Sequence, residues 1–413
     1  MKINIITILF VIAIILKFGN HSFLFAFCAG LVFLSYLLTA KEVELRRILG
    51  VINSNKLILF SFVISLFSTI LNSLYNQSII YNYFFEIVLY GLLSVIGVFV
   101  YVVNGENYIV KGFKQIVTIS FFLGILAIFE FFTNNNWFFK FVNVPDHLTW
   151  NTGIHYRVSS AFLHPIPCSN AFMISLFACF FILKKNYYRS VFLTILVLSI
   201  LLTQSRSTWL AIFFVMFLYG LMYLKSSTDT FRSVLKFTII IVVILALFQY
   251  FDFLREIILN RFEATKTVDS DYQRIATYSY IFDKIVSSNI YQVLFGHGAH
   301  SCSFVMLKKT LQWDDFSTTD NLYVSDLYNF GLFYIMVVIF QFFKVIKMLK
   351  NNNNLIRMFV CIFIGSEVCF FFYEPFVSYP IAFLFFFSFG TLLAINRDIK
   401  ANSIIKIVSK CTQ

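Results

Sequence analysis

Residues 190–224 read SVFLTILVLSILLTQSRSTWLAIFFVMFLYGLMYL, with one charge, Arg206, near the middle. A single helix over this stretch would be about 52 Å long, against a bilayer core of about 30 Å. Broken at Arg206 it gives two spans of adequate length. The flanking connections, KKNYYR before it and KSSTDTFRSVLK after it, are both basic. Two basic ends on one side of a membrane require the chain to reverse between them. Arg206 is therefore expected at the tip of a hairpin. Ser205 or Ser207 can cap the helix that follows, and free N–H groups beside an arginine favour an anion. The alternative is a plain hairpin whose arginine snorkels to lipid headgroups.

The same reading extends along the chain. Hydrophobic residues make up 59% of the 413 residues and charged residues 13%, and mean hydropathy is +0.82. That excludes an ordinary soluble domain. Apolar runs predict roughly twelve helices, at 3–19, 21–40, 56–75, 79–103, 113–133, 161–183, 188–204, 207–224, 234–251, 324–343, 355–373 and 377–395. The expected fold is all-α, a single polytopic membrane domain over 1–413. Its first helix serves as an anchor, not a cleaved signal. Basic connections alternate with uncharged or acidic ones and hold more than half of the 32 Lys and Arg. This places both termini in the cytoplasm. The net charge of +12 follows these connections and does not suggest nucleic acid. The seven cysteines include no CxxC pair, so neither a disulfide framework nor a zinc site is expected.

Two segments fall on the outer side, 134–160 and a large extracytoplasmic loop at 252–323 between helices 9 and 10. Long loops in a compact protein usually carry function. DYQRIATYSYIFDKI (271–285) is amphipathic and suits the membrane surface. The candidate residues lie on this side. Arg157 opens RVSSAFLHPIP before a middle helix, Arg206 marks the tip, and Arg274 sits in the large loop, followed by GHG (296–298) and DNLYVSDLYNFG (320–331). Arginine suits a diphosphate because its planar fork binds phosphate oxygens and stays charged. Asp320 is either a proton acceptor or a helix N-cap. His297 and His300 flank a glycine and fit a turn as readily as a binding role. Glu367, an acid inside an apolar run, is a functional candidate or a structural partner for an arginine. Glu374 ranks below the arginines.

The order of these pieces resembles the O-antigen polymerase and ligase superfamily of lipid-linked glycan transferases. The resemblance covers about 150–345: Arg157, Phe162 and Pro165 before a middle helix, SRS (205–207) at an external tip, then the loop with Arg274, GHG and DNLYVSDLYNFG. The first five helices match in hydropathy alone. The resemblance implies a GT-C-like membrane enzyme without cofactor or metal. Such an enzyme joins undecaprenyl-diphosphate-linked repeat units of O-antigen or capsule outside the bacterial cytoplasmic (inner) membrane. Arg206, Arg274 and Asp320 would be catalytic, and Arg157, Asn321, His297 and Glu367 would bind substrate beside the two arginines. Ligases of the superfamily usually carry His-Asn where this chain has Asp320–Asn321, which favours a Wzy-type polymerase. The nearest alternative is a ligase moving lipid-linked glycan onto lipid A core. A flippase or other transporter is the second, although no related halves are visible. Implied partners are the lipid-linked donor and acceptor, membrane lipid, a chain-length regulator and a flippase.

Overall fold

The computed structural model describes residues 3–18, 22–73, 87–141, 156–224, 269–307, 319–374 and 378–411. They are helical, with no strand among them. In chain order we label α1 Ile5–Phe18, α2 Ser22–Thr39, α3 Glu42–Ser54, α4 Lys56–Ser73, α5 Leu89–Asn104, α6 Glu106–Thr133, α7 Trp137–Phe141, α8 Pro165–Ile182, α9 Tyr187–Leu202, α10 Arg206–Leu224, α11 Asp269–Val286, α12 Ile290–Phe295, α13 Ser301–Leu307, α14 Leu322–Met348, α15 Asn354–Phe370 and α16 Tyr379–Cys411.

Every expected apolar segment holds a helix except the ninth, 234–251, which lies outside the described residues. Fewer helices meet the requirements for crossing a bilayer. Four are long and apolar enough (in α6, α8, α14 and α16), or five if the bent pair α3 and α4 makes one span. Those in α1, α2, α5, α9 and α10 are apolar but shorter. Twelve full spans are therefore not established. The connection at 41–55 is itself a helix, α3, which turns by 73° into α4. Its amphipathic sequence buries Ile48 and Val51 and leaves Glu42, Arg46 and Arg47 exposed.

Helix starts follow from the asparagines. The side chains of Asn186, Asn289, Asn321 and Asn353 each accept a backbone N–H from the first turn of the helix they precede, satisfying donors that a helix start leaves open. The low-complexity NNNN at 351–354 thereby gains a role, since Asn353 caps α15. The interior is built around α8 and α16, whose apolar windows are 72% and 89% buried, against 28% for α14. α16 lies against α5 with almost no gap. A side chain at Gly97 would strike the Phe387 carbonyl, and one at Gly390 the Ser94 carbonyl. Small residues allow such close approach between apolar helices.

α14 is broken at Gly331, which has φ of 79°. A break frees backbone carbonyls, which apolar surroundings do not tolerate unsatisfied. The turn after α12 supplies donors. His297 N–H donates to the Tyr328 carbonyl at 3.0 Å and Gly298 N–H to the Asn329 carbonyl at 2.8 Å. The Ser68 hydroxyl adds a bond to Asn329 at 2.9 Å. A Cβ at Gly296 would overlap the Asn329 carbonyl, and one at Gly331 the Leu294 carbonyl. GHG and NFG are thus two sides of one backbone joint, which docks the loop helices onto α14.

Candidate functional site

The site begins where two segments cross. Residues 156–158 run beside the turn between α9 and α10. Val158 N–H donates to the Leu202 carbonyl at 3.3 Å, and the Gln204 amide donates to the Tyr156 carbonyl at 3.2 Å. Arg157 Nε donates to the Thr203 carbonyl at 3.3 Å and is buried. The expected break between two helices at Arg206 is present. α9 stops at Leu202, Gln204 takes a left-handed φ of 53°, and α10 starts at Arg206. The Ser205 hydroxyl meets those of Ser207 at 3.0 Å and Thr208 at 3.3 Å. The two helices diverge from the tip: α9 packs on α8 and α6, α10 mainly on α15.

Arg274 and Asp320 meet directly. Nε and Nη2 of Arg274 both lie 3.2 Å from Asp320 Oδ2, with side chains 23% and 32% exposed. The N-cap of α14 is the next residue: Asn321 accepts from Tyr323 N–H at 3.0 Å and Val324 N–H at 3.2 Å. Asp320 is therefore not the cap. It stands on a left-handed φ of 52°, outside the helix. Below it, Glu374 accepts from Thr319 N–H at 3.2 Å and lies 2.9 Å from the Thr319 hydroxyl and 2.5 Å from that of Ser325. Glu374 also lines a cleft with His300, Ser325, Asp326 and Asn329. Tyr278, one turn beyond Arg274, lies beside Asn321. Burial raises its hydroxyl pKa, while a hydrogen bond with Asn321 and the Arg274 charge oppose that rise.

His164 links the two halves. It caps α8, its Nδ1 accepting from Ile166 N–H at 3.1 Å, and Pro165 starts the helix where no N–H is missed. The ring keeps some exposed surface yet sits deep among protein atoms. Burial pushes its pKa down to about 3, helped by the charges of Arg157, Arg274 and Lys17. Those cations from three parts of the chain therefore converge on one neutral imidazole. Lys17 lies at the end of α1, 5.3 Å from the ring centroid of Tyr379 at the start of α16. Arg206 enters three residues after the carbonyl that holds Arg157.

Two other candidates are engaged elsewhere. His297 stacks on Tyr328 at 4.1 Å, with Nδ1 facing the Tyr328 carbonyl at 3.1 Å and Nε2 facing the Ser288 hydroxyl at 3.0 Å. Burial lowers its pKa. Glu367 is buried in α15 and accepts from the Tyr323 hydroxyl at 2.5 Å, so its partner is a tyrosine, not an arginine. It ties α15 to α14 one layer below the Asp320 turn.

Sequence reasoning passed over Lys17, Glu130, His164 and Tyr278. Signals for them existed. Lys17 is the one charge in its apolar run and Glu130 the one between Lys114 and Lys140, His164 precedes a helix-starting proline, and Tyr278 follows Arg274 by one helical turn. Among the described residues no group of three or more His, Cys, Asp or Glu is placed to hold a metal. The arrangement suits binding an anion at the arginines and moving a proton at an adjacent carboxylate. No curated protein matches the chain. Residues 190–339, which run from α9 through the tip, Arg274 and Asp320 into α14, match the family model described as O-antigen ligase, and this match supports the O-antigen ligase and polymerase superfamily.

Proposed function

We propose that the protein is a Wzy-type polymerase. It would join lipid-diphosphate-linked oligosaccharide units on the outer side of the bacterial cytoplasmic membrane. The observation that carries this reading is the Arg274–Asp320 pair, in which both guanidinium contacts fall on one carboxylate oxygen. A diphosphate arriving at Arg274 competes for that guanidinium and releases the carboxylate. Asp320 then accepts the proton of the acceptor hydroxyl. The acceptor oxygen bonds to the anomeric carbon of the donor. The bond from that carbon to the diphosphate oxygen breaks, and the electron pair leaves on undecaprenyl diphosphate. Arg206, Arg274 and Arg157 offset the negative charge of the leaving group. No step in this scheme calls for a metal.

A ligase acting on lipid A core remains the second reading, favoured by the description of the matched family. Lipid profiling of a deletion strain separates the two. Loss of a polymerase leaves surface lipid bearing one unit and no ladder. Loss of a ligase leaves long polymer on undecaprenyl diphosphate and a bare core, and that result would replace the polymerase reading. The orientation has its own test. Cysteine at Asn135 should react with an impermeant thiol reagent in intact spheroplasts, and cysteine at Asn353 should not. Labelling at Asn353 would put the site on the wrong side.

A further inference from the structure

Glu130 sits in the last turn of α6 within AIFEFF and is 3% exposed. Its partners among the described residues are all uncharged. Oε1 accepts from the Tyr156 hydroxyl at 2.8 Å, Ser159 N–H at 3.0 Å and the Asn136 amide at 3.1 Å, and Oε2 accepts from Ser160 N–H at 2.7 Å. Asn136 reinforces the grip, its amide reaching the Ser160 carbonyl at 2.9 Å. The gripped backbone is unusual: Ser160 and Leu163 have φ of 45° and 62°, a region that residues with a Cβ seldom occupy. Such a conformation persists only when its surroundings hold it.

These bonds fall on both flanks of Arg157, on Tyr156 before it and on Ser159 and Ser160 after it. The third side of the segment is tied to the α9–α10 turn. We propose that Glu130 is a positioning residue for Arg157. Its carboxylate fixes the strap so that the guanidinium is presented to the anion without reorganising. It touches no substrate itself. The effect on polymer formation rests on the function proposed above, whereas the clamp does not.

Two arms test the proposal. The first is independent of activity. In a cysteine-depleted protein carrying Arg157→Cys, the rate of modification by an impermeant thiol reagent is compared with and without Glu130→Gln. Release of the clamp should raise the rate about tenfold or more at position 157 and leave a Ser287→Cys control unchanged. An unchanged rate at 157, or an equal rise at 287, overturns the clamp. The second arm measures polymer formed from lipid-linked units. Glu130→Gln should raise the apparent KM for the donor, with an overall loss of up to ~100-fold, the cost of an ångström-scale misplacement. Combined with Arg157→Ala it should cost no more than Arg157→Ala alone, because a residue acting through Arg157 has nothing left to act on. Additive losses refute the role. Should Glu130→Gln fail to accumulate, Tyr156→Phe removes a single donor, and the same two comparisons apply. If the unmodified protein forms no polymer, the function reading fails while the labelling arm still decides the clamp.

Discussion

Glu130 and Asp320 are carboxylates that each bear on an arginine, the first through the backbone flanking Arg157 and the second by direct contact with Arg274, and their surroundings are opposite. Glu130 is enclosed and collects backbone N–H, amide and phenol donors on both oxygens. Asp320 stands outside its helix, about a third exposed, with an arginine on one oxygen. A carboxyl group enclosed by fixed neutral partners on both oxygens acts as a fastener. A carboxylate held by a cation that has other business is freed when that cation binds something else. Residue type and proximity to the arginines do not distinguish the two roles; the partners do.

That contrast breaks most directly at Asp320. Asp320→Asn should cost about 10²–10⁴ in rate if the carboxylate takes a proton. The protein should still accumulate and fold, because the cap of α14 is Asn321 and asparagine tolerates a left-handed φ. Normal ladders in this variant would make Asp320 a fastener too. Arg274→Lys comes next. Lysine keeps the charge but cannot offer two parallel donors, so the polymerisation rate should fall by roughly ten- to a hundredfold, the worth of one charged hydrogen bond, with membrane levels unchanged. A variant indistinguishable from the original would leave Arg274 a simple counter-charge.

Smaller effects sharpen the comparison by showing what purely structural contacts do. Gly331→Ala places a Cβ on a φ of 79° and against the Leu294 carbonyl. It should destabilise by about 1–2 kcal/mol from the backbone alone, read as a lower Tm of the purified protein. Retention of the original Tm would mean that the joint relaxes freely. His164 gives the smallest change. Its folded pKa of about 3 lies below the unfolded value of about 6.5. The unfolded chain therefore takes up a proton below about pH 6.5 that the folded chain refuses until about pH 3. Its stabilising contribution is intact above that window and falls as pH drops through it, by about 10-fold in the folding equilibrium at pH 5.5. His164→Asn keeps an acceptor for the α8 cap and should flatten this part of the stability profile. An unaltered profile would mean that other groups carry the acid sensitivity.

The helices were legible because a long apolar run between charges has few other ways to satisfy its backbone, and the asparagine caps follow the same logic. The crossing of Arg157 with the α9–α10 turn was not legible. It depends on Leu202, Thr203 and Gln204 meeting residues more than forty positions earlier, and no local pattern encodes that. The arginines stood out by chemistry and by the side of the membrane that the charge pattern assigns them. His297 and Glu367 stood out equally, yet the structure gives them Ser288, Tyr328 and Tyr323 as partners. A charge or imidazole in an unexpected place signals that something binds it, without saying whether that is substrate or the next helix. The split between Asp320 and Asn321 was a matter of one residue in register, which spacing does not resolve.

α16 is the most enclosed of the helices able to cross a bilayer, with 89% of its apolar window covered, and it follows all the others in the chain. Synthesis delivers helices in sequence order, so the element at the centre arrives after the neighbours it packs against. Until then the faces of α5, α1 and α15 that it contacts must be occupied by lipid or by one another. Assembly of this bundle therefore includes an exchange, in which a later helix displaces provisional neighbours from a slot whose close fit rests on its Gly390 and on Gly97 of α5.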